Sequence, residues 1–155
     1  MSPRLMREAI RLSRKALRGH HGGPFGAVVV RAGKIVGRGW NQVTARNDPT
    51  AHAEVVAIRA ACQRLRSFQL EDCELYTSCE PCPMCLAAIY WSRLRRVYYA
   101  NTRQDARRID FDDALIYREV AAPMAKRQIP MRQLLRSEAL TVFAEWRRKP
   151  DRIHY

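Results

Sequence analysis

At 155 residues and 47% hydrophobic content the chain is long enough for one domain with a sizeable core, and no apolar run approaches the ~20 residues that span a bilayer. Lys and Arg number 28 against 15 Asp and Glu, a formal charge of +13, which admits nucleic acid as a partner without requiring it. An odd count of 5 cysteines and an N-terminus without an apolar signal segment predict free thiols and a cytoplasmic location.

Ser2 followed by Pro3 predicts a capped helix running to about Gly19. Arg4, Arg7, Arg11, Arg14, Lys15 and Arg18 recur on it at helical spacing as a basic stripe, with Leu5, Met6, Ala9, Ile10 and Leu17 expected on the opposite side. His20-His21-Gly22-Gly23-Pro24 reads as a loop whose histidines are polar loop groups rather than ligands. Residues 25–30 form a predicted buried strand, Ala32-Gly33 a turn and residues 35–40 a second strand. Residues 41–50 are expected to be a loop, and Asp48-Pro49-Thr50 leads from it into a helix with Val55, Ile58, Ala61 and Cys62 on one side.

Leu75-Tyr76-Thr77 is a short predicted strand, after which a cysteine-bearing loop opens a helix through Leu86, Ile89 and Tyr90. A strand at residues 96–100, a helix at 111–119 and an edge strand at 130–135 follow. Ser137 is expected to cap a last helix carrying Leu140, Phe143 and Trp146, which Pro150 releases into a tail. Cys62 and Cys73 read as small core residues. With no repeat and no second domain, residues 1–155 are expected to be a single α/β domain of helix-sheet-helix layering.

The chemistry sits in His52-Ala53-Glu54 and Pro81-Cys82-Pro83-Met84-Cys85. One imidazole and two thiolates supply three ligands to a tetrahedral zinc and leave its fourth position for water. Glu54, not needed as a ligand, is free to move protons in a hydrolytic attack that displaces ammonia. The combined H-x-E…P-C-x-x-C pattern is the signature of zinc-dependent deaminases. A closed structural site of His52, Cys79, Cys82 and Cys85 is the competing arrangement; it has no use for Glu54, and Cys79 precedes Glu80-Pro81 at a predicted strand end, apart from the helical turn of the other two.

Gly23-Pro24-Phe25-Gly26-Ala27-Val28, Asn47-Asp48-Pro49-Thr50-Ala51-His52-Ala53-Glu54 and Thr77-Ser78-Cys79-Glu80-Pro81-Cys82-Pro83-Met84-Cys85 resemble the cytidine-deaminase superfamily, and within it the bacterial guanine deaminases. The second and third stretches also resemble tRNA adenosine deaminases. Trp91 in Ile89-Tyr90-Trp91-Ser92-Arg93, the segment Phe111-Asp112-Asp113-Ala114-Leu115-Ile116-Tyr117 and the terminal Tyr155 favour the guanine branch. The Arg-rich first helix and Ala87, where the family leads one to expect glycine, depart from the pattern.

The resemblance implies a three-layer α/β/α fold with a five-stranded mixed sheet, one zinc per chain on His52, Cys82 and Cys85, and Glu54 as the catalytic proton carrier. It also implies hydrolysis of guanine to xanthine and ammonia, as in purine catabolism and salvage. It places Asn41 and Asp113 on the edges of the purine base, with Phe25 and Trp91 against its ring. It further implies a homodimer in which residues 137–155 are exchanged, so that Tyr155 reaches the partner's pocket. The same motifs leave a tRNA adenosine deaminase or a guanosine deaminase as alternatives, and a non-catalytic zinc-stabilised RNA-binding module as a reading from another class.

Overall fold

Apolar residues three and four apart lay the first helix, α1 (Pro3–Arg18), on a sheet: Leu5, Ala9, Leu12 and Ala16 are its buried positions. The computed structural model describes residues 1–154; Tyr155 lies outside the described residues. Strands β1 (Gly26–Arg31), β2 (Lys34–Trp40), β3 (Cys73–Cys79) and β4 (Arg96–Asn101) form one mixed sheet in the order β2-β1-β3-β4. β1 runs antiparallel to both β2 and β3, and β3 runs parallel to β4.

Side chains alternating along the central strands divide the core into two layers. Val28, Val30 and Tyr76 pack with Leu5 and Leu12 beneath α1. Ala27, Val29 and Leu75 face the other way, toward helix α3 (Ala53–Leu65) and helix α4 (Pro83–Trp91), which contribute Ala53, Ala57, Ile58, Ala61 and Ile89. The contact between α3 and β2 is unusually close. A Cβ on Gly37 would meet the Ala57 carbonyl and the Ala61 backbone, and one on Gly39 would meet the Ala53 carbonyl and the Ala57 amide. Glycine on the strand and alanine on the helix are what allow the two backbones to touch.

Residues 1–113 form one compact unit, and a second begins at Ala114. The second contains α6 (Ala114–Ala121), a 3-10 turn (Met124–Lys126) and α7 (Arg136–Arg148), none with a buried residue. No helix among the described residues is long and apolar enough to cross a membrane.

Several expectations are corrected. The sheet has four strands rather than five among the described residues: 130–135 belongs to no strand, and Pro130 has no N–H to offer a ladder. The loop at 41–50 contains a helical turn, α2 (Val43–Arg46), closed by Asn47 in the left-handed region at φ 49°. The helix expected at 111–119 begins at Ala114, and a short helix, α5 (Arg103–Arg107), precedes it behind a Thr102–Asp105 capping box. On α1 the buried row includes Leu12 and Ala16, whereas Leu17 is 59% exposed. Ser2 makes no side-chain cap there, and Ser137 lies inside α7, whose cap position is Leu135.

Candidate metal centre and active site

Two helix starts converge on one point. His52 is the cap residue of α3 and Cys82 that of α4, and neither side chain caps its own helix; both turn toward the cluster instead. Cys85 lies in the first turn of α4 and is fully buried. The ligand atoms of His52, Cys82 and Cys85 all lie within 4.8 Å of one another, with His52 Nδ1 at 3.6 Å from Cys82 Sγ and 3.5 Å from Cys85 Sγ. Tetrahedral zinc with ordinary bond lengths would separate a ligand nitrogen and sulfur by about 3.6 Å, so this donor set fits the ion.

The electrostatics favour anionic sulfur. The positive ends of α3 and α4 point at the cluster. The Cys82 thiol is drawn down to about 4, first by its hydrogen bond with Cys85 and then, against the cost of burial, by His52. His52 is pushed up, chiefly by its hydrogen bond with Cys82. Cys85 is pushed up, first by Cys82 and then by burial. Two thiolates this close repel each other, and a metal dication between them would offset that charge.

Glu54 lies two residues into α3, 5% exposed, with its carboxyl directed at the cluster. Its Oε1 accepts a hydrogen bond from Thr77 Oγ1 at 2.9 Å, and Cys85 Sγ lies 3.4 Å from Oε2. Burial is the leading cause of its raised pKa. Cys79, at the end of β3, is turned elsewhere: its Sγ donates to the Thr102 carbonyl at 3.5 Å, and it is not part of the metal-ligand cluster.

Asn41 follows β2 and is 4% exposed. Its Oδ1 accepts from the Val43 N–H at 3.1 Å, and its backbone N–H donates to the Phe25 carbonyl at 3.0 Å. Gly22, at φ +151°, leaves the space that this amide occupies, because a Cβ there would collide with Asn41 Oδ1. Phe25 is half-buried and meets Phe111 edge-on, with ring centroids 4.9 Å apart. Asp113 is half-buried; its pKa is raised by burial first and by the negative charge of Cys82 second, a coupling that associates it electrostatically with the cluster. Trp91 closes α4 at the end opposite Cys82 and is 66% exposed. The expectation for Tyr155 falls outside the described residues.

Sequence reasoning missed Thr77 and Phe111. Thr77 is fully buried on β3 and reaches Glu54 across 23 positions of sequence, so no local spacing announces it. Phe111 stood in the motif for its acidic neighbours, but its own ring braces Phe25.

Comparison with known proteins agrees with the geometry. Residues 2–101 match the family model for the cytidine and deoxycytidylate deaminase zinc-binding region. The chain is 49% identical over 150 residues to the guanine deaminase of Bacillus subtilis, covering 97% of this chain and 96% of the relative. The X-ray structure of Bacillus subtilis guanine deaminase superposes with a TM-score of 0.96 at 48% identity, covering 100% of this chain and 99% of that one. A tRNA-specific adenosine deaminase of Aquifex aeolicus is 47% identical over 77 residues, covering only 50% of this chain and 51% of the relative. A histidine and two cysteines at zinc-ligand separations, a buried glutamate beside them and these matches place the chain in the cytidine and deoxycytidylate deaminase family, on its guanine-deaminase branch.

Proposed function

We propose that this chain is a zinc-dependent guanine deaminase, converting guanine and water to xanthine and ammonia. The carrying observation is the end-to-end match to a guanine deaminase, over 97% of the chain, where the Aquifex tRNA-specific adenosine deaminase matches 50%. His52, Cys82 and Cys85 would hold the zinc, which would supply Lewis-acid activation of a water molecule near neutral pH. Glu54 would carry one proton of the attacking water to a ring nitrogen and the second, from the hydroxyl of the tetrahedral adduct, to the departing amino group. A C–O bond forms at the base carbon bearing the amino group, and the C–N bond breaks to release ammonia. Burial raises the Glu54 pKa, a direction that favours a group acting as donor as well as acceptor.

Guanine offers N–H donors on its Watson–Crick edge, and Asp113 accepts them. Asn41 has its Oδ1 occupied by the Val43 N–H, so its amide N–H groups serve the acceptors of the base. Phe25 and Trp91 supply aromatic surface. The working form is a homodimer in which residues 137–155 cross to the partner and Tyr155 closes its pocket. Supporting this, neither α6 nor α7 buries a residue in the single chain, yet Val120, Leu134 and Phe143 are 66%, 83% and 68% exposed. Free thiols on all five cysteines suit a reducing cytoplasm.

The test is ammonia release from guanine, guanosine, cytosine and an adenosine-containing tRNA anticodon stem. Guanine should be the preferred substrate; turnover of the stem without ammonia from guanine would overturn the assignment.

A further inference from the structure

The outward face of α1 plays no part in the deaminase site. Arg4, Arg7, Arg11, Arg14, Lys15 and Arg18 are all exposed, and at 100° per residue they fall within an arc of about 100° on the helical wheel. The row is about 21 Å long at ~1.5 Å per residue. Arg11, Arg14, Lys15 and Arg18 line an open depression of about 580 Å³.

This face differs from the charged surface around it. Arg31, Arg59, Arg93, Arg95, Arg107 and Arg108 each lie within 4.0 Å of a carboxylate. Among the described residues Arg4, Arg7, Arg14 and Arg18 have no carboxylate partner. The only acid on α1, Glu8, is held at 2.7 Å by Arg11 and at 3.0 Å by Arg38 from β2, so α1 carries six cations against one acid that is already paired. Lys15 is fixed in place, its Nζ 3.6 Å over the Trp40 ring, and Trp40 Nε1 in turn donates to His21 Nδ1 at 2.8 Å.

We propose that this face is a docking surface for the phosphate backbone of a single-stranded nucleic acid. A single row of cations follows one strand of phosphates, and α1 itself carries no aromatic side chain on which bases could stack, so the row grips backbone without reading bases. An anionic membrane fits worse: a helix lying on lipid must bury its apolar side there, and Leu5, Ala9, Leu12 and Ala16 are already beneath the sheet. The metal cluster belongs to α3 and α4 on the other face of that sheet, so a strand bound on α1 leaves it open.

The probe is a fluorescein-labelled 12-residue oligouridylate, followed by anisotropy against the full-length zinc-loaded protein over a salt series. With four to six phosphates engaged, the slope of log K against log salt should be roughly −3 to −4. The triple substitution Arg7→Gln, Arg14→Gln and Arg18→Gln removes exposed side chains without carboxylate partners. It should weaken binding at least tenfold at low salt and flatten the slope by about 2, while guanine kcat/KM stays unchanged. Three outcomes overturn the proposal: no salt-dependent binding of the oligonucleotide, binding unaltered by the triple substitution, or a nucleoside triphosphate competing as well, molecule for molecule, as the 12-mer. Phosphatidylserine vesicles binding where the oligonucleotide does not would be the first of these, with a membrane as the occupant. Because guanine turnover is read separately, failure here is distinct from failure of the deaminase assignment.

Discussion

Thr77 Oγ1 donates to Glu54 Oε1 at 2.9 Å, tying the carboxyl that opens α3 to the middle of β3. The bond fixes one oxygen and leaves Oε2 on the side of Cys85. Glu54→Gln should retain zinc and lose turnover by roughly 10²- to 10⁴-fold, the usual range for a general acid-base group. Thr77→Val should cost kcat about tenfold. It also removes a bond that holds the Glu54 pKa down, so the acid limb of the pH profile should move to higher pH. A Thr77→Val enzyme with an unmoved acid limb would reduce Thr77 to a packing residue.

Metal content separates a catalytic from a structural centre. Cys82→Ser should lose zinc and activity together, because Cys82 Sγ lies 3.6 Å from His52 Nδ1. Cys79→Ser should keep both, since its sulfur is turned toward Thr102. Elemental analysis of the two purified variants decides the matter, and zinc loss from Cys79→Ser would favour a four-ligand structural site.

Acid stability should depend on Glu8. Arg11 first, and Arg38 with it, hold this carboxyl at about 2 against an ordinary 4.5. The folded value lies below the unfolded one, so the stabilisation is complete above about 4.5 and lost as pH falls toward about 2. Both guanidinium partners are about half exposed, which screens the gain to the order of 1 kcal/mol. Urea midpoints for wild type and Glu8→Gln should therefore differ at pH 5.5 and converge near pH 2.5; a constant gap would show that the pair does not titrate with folding.

The tail carries the substrate-closure argument. Removing residues 151–155 should abolish guanine turnover while zinc content and the thermal midpoint hold. Full-length rates from the truncated enzyme would end the lid proposal and readmit larger substrates.

What was legible in the sequence was whatever chemistry compresses into neighbouring positions. His52, Glu54, Cys82 and Cys85 lie within two short motifs, and local helix geometry brings each pair to its place. Thr77 was illegible because its partnership spans the sheet, and in sequence it is one more residue of a buried strand. The unrealised strand at 130–135 shows the converse. Met131, Leu134 and Leu135 give it an apolar content, but strand formation depends on a neighbour to pair with, and composition does not state whether one exists. On α1 the period was right and the phase slightly off, which exchanged Leu17 for Leu12 in the core.

The seam between Gly37 and Gly39 of β2 and Ala53, Ala57 and Ala61 of α3 is main chain against main chain. A joint of that kind has no rotamers to sample and no side-chain entropy left to lose when a ligand arrives. Glu54 is attached one residue beyond Ala53, so the carboxyl proposed as proton carrier would begin each turnover from nearly the same coordinates. The reorganisation that a more loosely mounted base would undergo during turnover has already been completed once, when the chain folded.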